Sequence, residues 1–275
     1  MKLNVLQKIE KTKKYILSKT GFKPSVAIIA GSGLGNLKKQ FTNIKTIKYR
    51  QIPYFSKTTV DGHAGELVLC SYKGTQLLLF NGRFHFYEGY CAQDVIYPVK
   101  VMKAMGVETL VLTAAVGGMN KKYNSGDIVI LKDHINFTGN NPLIGENVSA
   151  LGERFPGVAD VYDAPLRKNA LKAAVKLKIK VHEGIYFGVT GPSYETAAEV
   201  NAFRKLGGDV VGMSVVYEAI AAAHMKMKVV GISYVSNMAA GINKTRLNHK
   251  EVLEAGKKAN SGVTKIIKTV LEDSY

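Results

Sequence analysis

The stretch S-V-A-I-I-A-G-S-G-L-G, Ser25 to Gly35, decides the fold class. Its first six residues are small or branched and apolar, the composition of a buried strand. Gly31, Ser32 and Gly33 follow at once, so the chain turns sharply and its N–H groups can converge on an anion beside the Ser32 hydroxyl. The same order recurs in T-L-V-L-T-A-A-V-G-G, Thr109 to Gly118. Other strand-like runs are Glu66–Cys70, Thr75–Phe80, Asp127–Leu131, Gly184–Thr190, Asp209–Gly212 and Lys228–Val235. Helical spacing of apolar residues marks 4–19, 92–105, 165–178, 195–206, 217–227 and 249–272, with Ser193 as the expected cap of the 195–206 helix. Asn248-His249-Lys250-Glu251 reads as a capping box for the last helix. Strands alternating with helices predict an α/β fold, although the strand order is not readable. In such sheets ligands lie beyond the carboxyl ends of strands, so those loops are where function is sought.

The richest loop is N-G-R-F-H-F-Y-E-G-Y, Asn81 to Tyr90, directly after an apolar run. Arg83, His85 and Tyr87 alternate, and an extended backbone would turn all three to one side. A guanidinium, an imidazole and a phenol together suit an oxyanion beside a hydroxylated ligand. His63, in V-D-G-H-A-G, stands in a loop before a strand, and polar groups follow other strands: Tyr194 and Glu195 in G-P-S-Y-E-T, Met213-Ser214, and Ser236-Asn237. The Gly-, Pro- and Asn-rich segment 139–164 predicts a long loop carrying Arg154-Phe155-Pro156. Gly31 to Gly35 is not a P-loop, and Asn36 stands where a dinucleotide fingerprint needs its third glycine.

The 275 residues contain no linker, repeat or low-complexity segment, and their 46% hydrophobic content suffices for one compact domain. Net charge is +17, from 38 basic and 21 acidic residues. The lysines are scattered, without a basic stripe interleaved with aromatics, which argues against a nucleic-acid partner. Cys70 and Cys91 have no metal-ligand or redox spacing, and no metal site is expected. The charged N-terminus does not read as a signal peptide and no run is long enough to span a membrane. A cytoplasmic protein is expected.

Taken together, G-S-G-L-G at 31–35, G-H-A-G at 62–65, G-R-F-H-F-Y-E-G-Y at 82–90, G-P-S-Y-E-T at 191–196, G-M-S at 212–214, S-N at 236–237 and N-H-K-E-V-L at 248–253 resemble the trimeric, low-molecular-mass class of purine nucleoside phosphorylases. The resemblance runs in order from about residue 20 to 270. It implies a single domain over 1–275 with a central mixed β-sheet flanked by helices. It also implies phosphorolysis of 6-oxopurine nucleosides such as inosine and guanosine in purine salvage, with inorganic phosphate as co-substrate and no cofactor. Carried over residue by residue, Ser32, Arg83, His85, the Ala115 N–H and Ser214 would hold phosphate, with His63 beside them. Tyr87, Met213 and His249 would contact the ribose, and Tyr194, Glu195 and Asn237 the purine. His85, Glu195 and Asn237 would carry the catalysis. Phe155 would close the sugar pocket of the next subunit in a homotrimer.

The chain departs from that pattern at three places. Ala114 stands where the family usually has asparagine, Val215 where it has threonine, and Tyr217 where it has proline. These bear on rate and substrate preference, not on reaction class. The sister methylthioadenosine phosphorylases share the implied fold, but usually lack the Glu/Asn pair and place an apolar residue where His249 stands. A catalytically weak nucleoside- or nucleic-acid-binding relative is the other alternative, motivated by the charge and the departures.

Overall fold

The computed structural model describes residues 3–19, 21–59, 64–242 and 249–274. Strands β1 (Val26–Ala30), β2 (Thr42–Lys48), β3 (Glu66–Tyr72), β4 (Thr75–Asn81), β5 (Thr109–Gly118), β6 (Ile128–Asn136), β7 (Val181–Gly188), β8 (Val210–Gly212) and β9 (Lys228–Met238) form one mixed sheet among the described residues. Helices α1 (Val5–Leu17), α2 (Ala92–Val95), α3 (Tyr97–Ala104), α4 (Ala164–Lys176), α5 (Ala197–Lys205), α6 (Val216–His224) and α7 (His249–Ser274) flank it. The expected α/β architecture with a central mixed sheet is what forms. No helix among the described residues is long and apolar enough to cross a membrane.

The sheet is organised around β5. It pairs in parallel with β1 on one side and β9 on the other, and its last two residues, Gly117 and Gly118, pair antiparallel with β8. From β8 the sheet passes through β7 and β6 back to β9, so five strands close into a ring. Beyond β1, the strands β4, β3 and β2 extend it as an open wing. All of β1 is buried, because α1, α3 and α6 cover one face and α4 and α7 the other. This explains why β1 reads as a continuous apolar run. A smaller third cluster, with Phe187 and Phe203 stacked at 4.2 Å, docks α5.

Several expectations need correction. The 92–105 helix is two segments, because Pro98 sits in the first turn of the second one. Thr196, not Ser193, caps α5: its hydroxyl accepts from the Glu199 N–H while Glu199 accepts from the Thr196 N–H. Gly117 and Gly118 belong to β5 rather than to a turn, since a side chain on Gly118 would meet Met238 and Val235. The strand expected over Asp127–Leu131 runs on through Asp133 to Asn136, after a register shift that keeps them paired with β7. Strand β2 was not anticipated; it is a bulged edge strand carrying Lys45 and Lys48. Asn248, the expected cap of α7, lies outside the described residues.

The turn that bears Ser32 is held from behind. Tyr234 of β9 donates its hydroxyl to the Ser32 carbonyl at 2.8 Å. A Cβ on Gly33, whose φ is +78°, would come within 2.9 Å of the Gly256 Cα, and one on Gly256 within 2.8 Å of the Gly33 Cα. Two glycines thus let α7 lie directly on the turn. Gly256→Ala is expected to lower stability by about 1–3 kcal/mol through overpacking against the turn that bears Ser32. Urea unfolding measures the loss.

Candidate active site

The parallel strands β1, β5 and β9 end on one side of the sheet, and β4, parallel to β1, ends there too. Their carboxyl ends and that of β8 surround an open pocket of about 750 Å³, its mouth included. Ser32, Arg83, His85, Tyr87 and Ala115 line it together with Tyr194, Glu195, Met213, Ser214 and Asn237. Ten of the thirteen residues singled out from sequence therefore meet in one cavity. Phe155 does not: it is 86% exposed on the long loop, with the Arg154 guanidinium over its ring at 5.8 Å. His63 lies outside the described residues. His249 opens α7, and its side chain is likewise outside them.

Arg83, Phe84 and His85 follow β4 through a turn at Gly82, whose carbonyl accepts a 2.8 Å hydrogen bond from buried Tyr49. The segment is not the extended strand that the alternation predicts, because Phe86–Glu88 form a single 3₁₀ turn. The three polar side chains still reach the same pocket, with the His85 and Tyr87 rings stacked at 4.6 Å. Arg83 is 4% exposed and reaches between the end of β1 and the middle of β5, where it donates to the Ile29 and Thr113 carbonyls. Its guanidinium also pairs with Glu218 of α6 at 3.4 Å, and both side chains are buried.

Glu88 fixes His85. One carboxylate oxygen lies 2.9 Å from both the His85 N–H and Nδ1, and the other accepts from the Thr59 N–H and hydroxyl at 2.7 Å each. Burial opposes the Glu88 charge, but these hydrogen bonds outweigh it and bring the carboxyl down to about 2. Burial acts first on His85 as well, lowering its pKa against the pull of Glu88. The ring is then neutral near pH 7, and the Glu88 contact assigns its proton to Nδ1, leaving Nε2 as an acceptor.

Ser214 is presented from the opposite wall. Its N–H donates to the hydroxyl of buried Tyr186 at 3.0 Å, and its own hydroxyl lies 3.4 Å from the same oxygen. The following Val215 has φ +69° and ψ −51°, and the Val216 N–H reaches back to the Ser214 carbonyl at 2.7 Å. A β-branched residue in this tight γ-like turn is strained, by about 1–3 kcal/mol.

Glu195 and Asn237 bring a carboxylate and an amide to the same pocket. Glu195 is half-buried, and burial first, then nearby Glu199, raise its pKa above the ordinary carboxylate value. Asn237 has its Oδ1 2.6 Å from the Ser236 hydroxyl and donates from Nδ2 to the Met238 carbonyl at 3.3 Å. With Oδ1 occupied, the remaining amide proton is the group available to a ligand. Ser236, Tyr186 and Thr59 were not singled out from sequence. Ser236 was visible only as half of the S-N pair, and nothing local marks the other two.

The chain matches the phosphorylase superfamily over residues 25–272. It is 47% identical over 264 residues to purine nucleoside phosphorylase 1 of Bacillus subtilis, covering 96% of this chain and 97% of that protein. It is 42% identical over 270 residues to the mouse purine nucleoside phosphorylase, covering 96% and 93%. A crystal structure of the Schistosoma purine nucleoside phosphorylase in complex with hypoxanthine superposes with a TM-score of 0.93 at 36% identity, covering 100% of both chains. The chain therefore belongs to the phosphorylase superfamily. Within that superfamily it is an enzyme of the purine nucleoside phosphorylase type.

A charged Glu88 favours the fold only where it is ionised. Because its pKa is depressed from 4.5 to about 2, its stabilisation is present above pH 4.5 and lost as pH falls towards 2. Glu88→Gln is expected to cost about 1–3 kcal/mol at pH 7, with the gap to wild type closing over that acidic window. Chemical denaturation at a series of pH values measures it.

Proposed function

We propose that the pocket binds phosphate at its Arg83 end and a 6-oxopurine nucleoside at its Glu195 end, and catalyses reversible phosphorolysis to free purine and ribose 1-phosphate. One observation carries this reading: Arg83, His85 and Ser214, suited to an anion, line the same pocket as Glu195 and Asn237, suited to a purine edge. Ser32, Arg83, Ser214 and the Ala115 N–H hold phosphate. Neutral His85 accepts from its remaining P–OH group through Nε2. Tyr87, whose phenol burial pushes up to about 12, stays protonated as a hydroxyl partner for the ribose, and Met213 packs against the sugar.

A phosphate oxygen attacks C1′ as the bond from C1′ to the purine N9 breaks. The sugar passes through an oxocarbenium-like state that the phosphate charge stabilises, so no side-chain nucleophile is required. The electron pair of the broken bond goes to the purine, and the Asn237 amide donates to N7 as negative charge grows there. Ionised Glu195 accepts from the N1–H of a 6-oxopurine, and Tyr194 packs beside the base. Adenine has no N1–H and would leave that carboxylate poorly paired, which discriminates against adenosine.

His63 beside the phosphate, His249 at the ribose 5′-hydroxyl and Phe155 in the neighbouring site of a homotrimer complete the reading. The exposure of Phe155 supports the last assignment, since an aromatic ring held out in solvent is suited to a partner. A cofactor-free reaction of purine salvage in the cytoplasm follows from the same chemistry.

Base release from inosine, guanosine, adenosine and methylthioadenosine, with and without phosphate, tests the proposal. Phosphate-dependent release from the first two is expected, and release chiefly from methylthioadenosine would transfer the chain to the sister activity. Asn237→Ala should lower kcat on inosine by about 10²–10³, as loss of a donor to developing charge does. Glu195→Gln should lower kcat/KM by about 10–10² and narrow the preference over adenosine. In the wild type, the KM for inosine should rise as pH falls, with a midpoint above 4.5 because the Glu195 pKa is raised. That dependence should vanish in Glu195→Gln.

A further inference from the structure

Tyr217 occupies the second position of α6, three residues after Ser214, where the family pattern implied by the resemblance has proline. It is 5% exposed. Its ring meets Phe86 edge-on at 5.8 Å, and Phe86 lies between His85 and Tyr87. Its hydroxyl donates to the Thr138 hydroxyl at 3.1 Å, across the gap between α6 and the loop that follows β6. Thr138 in turn donates to the Asn136 amide oxygen at 2.7 Å, and its carbonyl accepts from the Thr190 hydroxyl at 3.1 Å. Thr190 immediately precedes Gly191, the first residue of the segment that carries Tyr194 and Glu195. A Cβ on Gly191 would strike Met213, so this segment already rests on the ribose wall.

We propose that Tyr217 is a positioning residue for the purine segment. Through Thr138 and Thr190 it ties the start of that segment to α6, the helix whose first turn presents Ser214. The inference rests on the reading of Glu195 as the purine acceptor, but the tie itself exists without ligand. A proline at this place has neither the hydroxyl nor the ring, so the device belongs to this chain rather than to the reaction. It acts on the nucleoside and not on phosphate, because Ser214 is held separately by Tyr186 and by the turn at Val215.

Tyr217→Phe removes only the hydroxyl and keeps the contact with Phe86. Its KM for inosine should rise about fivefold, the worth of one net hydrogen bond, while kcat and the KM for phosphate stay within about twofold of wild type. Thr138→Val should give the same effect, and the double variant should be no worse than either alone. Thr138→Ser keeps the hydroxyl and should restore the wild-type KM. Hydrogen exchange in the free protein supplies a readout independent of turnover: amides of 189–196 should exchange faster in Tyr217→Phe, with those of β1 and β5 unchanged. Equal shifts in both KM values, additive effects of the two substitutions, or unaltered exchange at 189–196 would each overturn the proposal. If wild type released no base from inosine yet the exchange pattern held, the substrate reading would fail and the tie would stand.

Discussion

A buried guanidinium sets the terms for this site. Arg83 sits where β1 ends beside the middle of β5, and it is almost wholly removed from water. Such a charge is tolerable only with an opposite charge and hydrogen bonds around it. Glu218 supplies the charge, and the Ile29 and Thr113 carbonyls supply acceptors. Removing one partner of a buried pair typically costs about 3–5 kcal/mol, so β1, β4, β5 and α6 are bound to a common geometry. The convergence of their ends into one pocket depends on that pairing.

The pairing also shapes how the pocket meets an anion. On the proposed reading, phosphate would meet an Arg83 whose charge is partly answered by Glu218, and neutral donors would share the work of holding it. That division would suit a co-substrate which must be bound, attack and leave as part of the product. His85 fits the same logic: burial keeps the ring neutral, while Glu88, itself held ionised by Thr59, fixes which nitrogen carries the proton. Acceptor and donor positions are therefore settled before substrate enters, which is where electrostatic preorganisation gains its effect.

Much of this was legible in the sequence, for identifiable reasons. Strands β1, β5 and β9 are buried almost throughout on both faces, so composition alone exposed them. The ten pocket residues all lie within seven positions of the carboxyl end of a strand, so a rule about strand ends found them. Strand β2 escaped notice because an edge strand is half polar, and its bulge breaks the alternation that a reader counts. The continuation of β6 through Asp133 to Asn136 escaped notice for a similar reason, since polar residues can remain in register with β7. Tyr186 and Thr59 were invisible because their importance is a distance in space. No local pattern says that Tyr186 will meet Ser214 or that Thr59 will meet Glu88. The extended geometry expected for Arg83 to Tyr87 was wrong, although the side chains still converge. A 3₁₀ turn and a strand can bring the same three groups to one cavity.

The departures from the family pattern fall where this network is most constrained. Val215 occupies a backbone conformation that β-branched residues avoid, without a hydroxyl to bond the turn from within. Its conformation is enforced from outside: Ser214 is anchored on Tyr186, the Val215 side chain is fully buried, and α6 is fastened by the pairing of Glu218 with Arg83. A strained turn persists only when its surroundings over-determine it. Tyr217 points its hydroxyl away from this turn, to Thr138 on the loop after β6. One helix start thus carries two separate ties, Glu218 to the guanidinium of Arg83 and Tyr217 to the loop that holds Thr190.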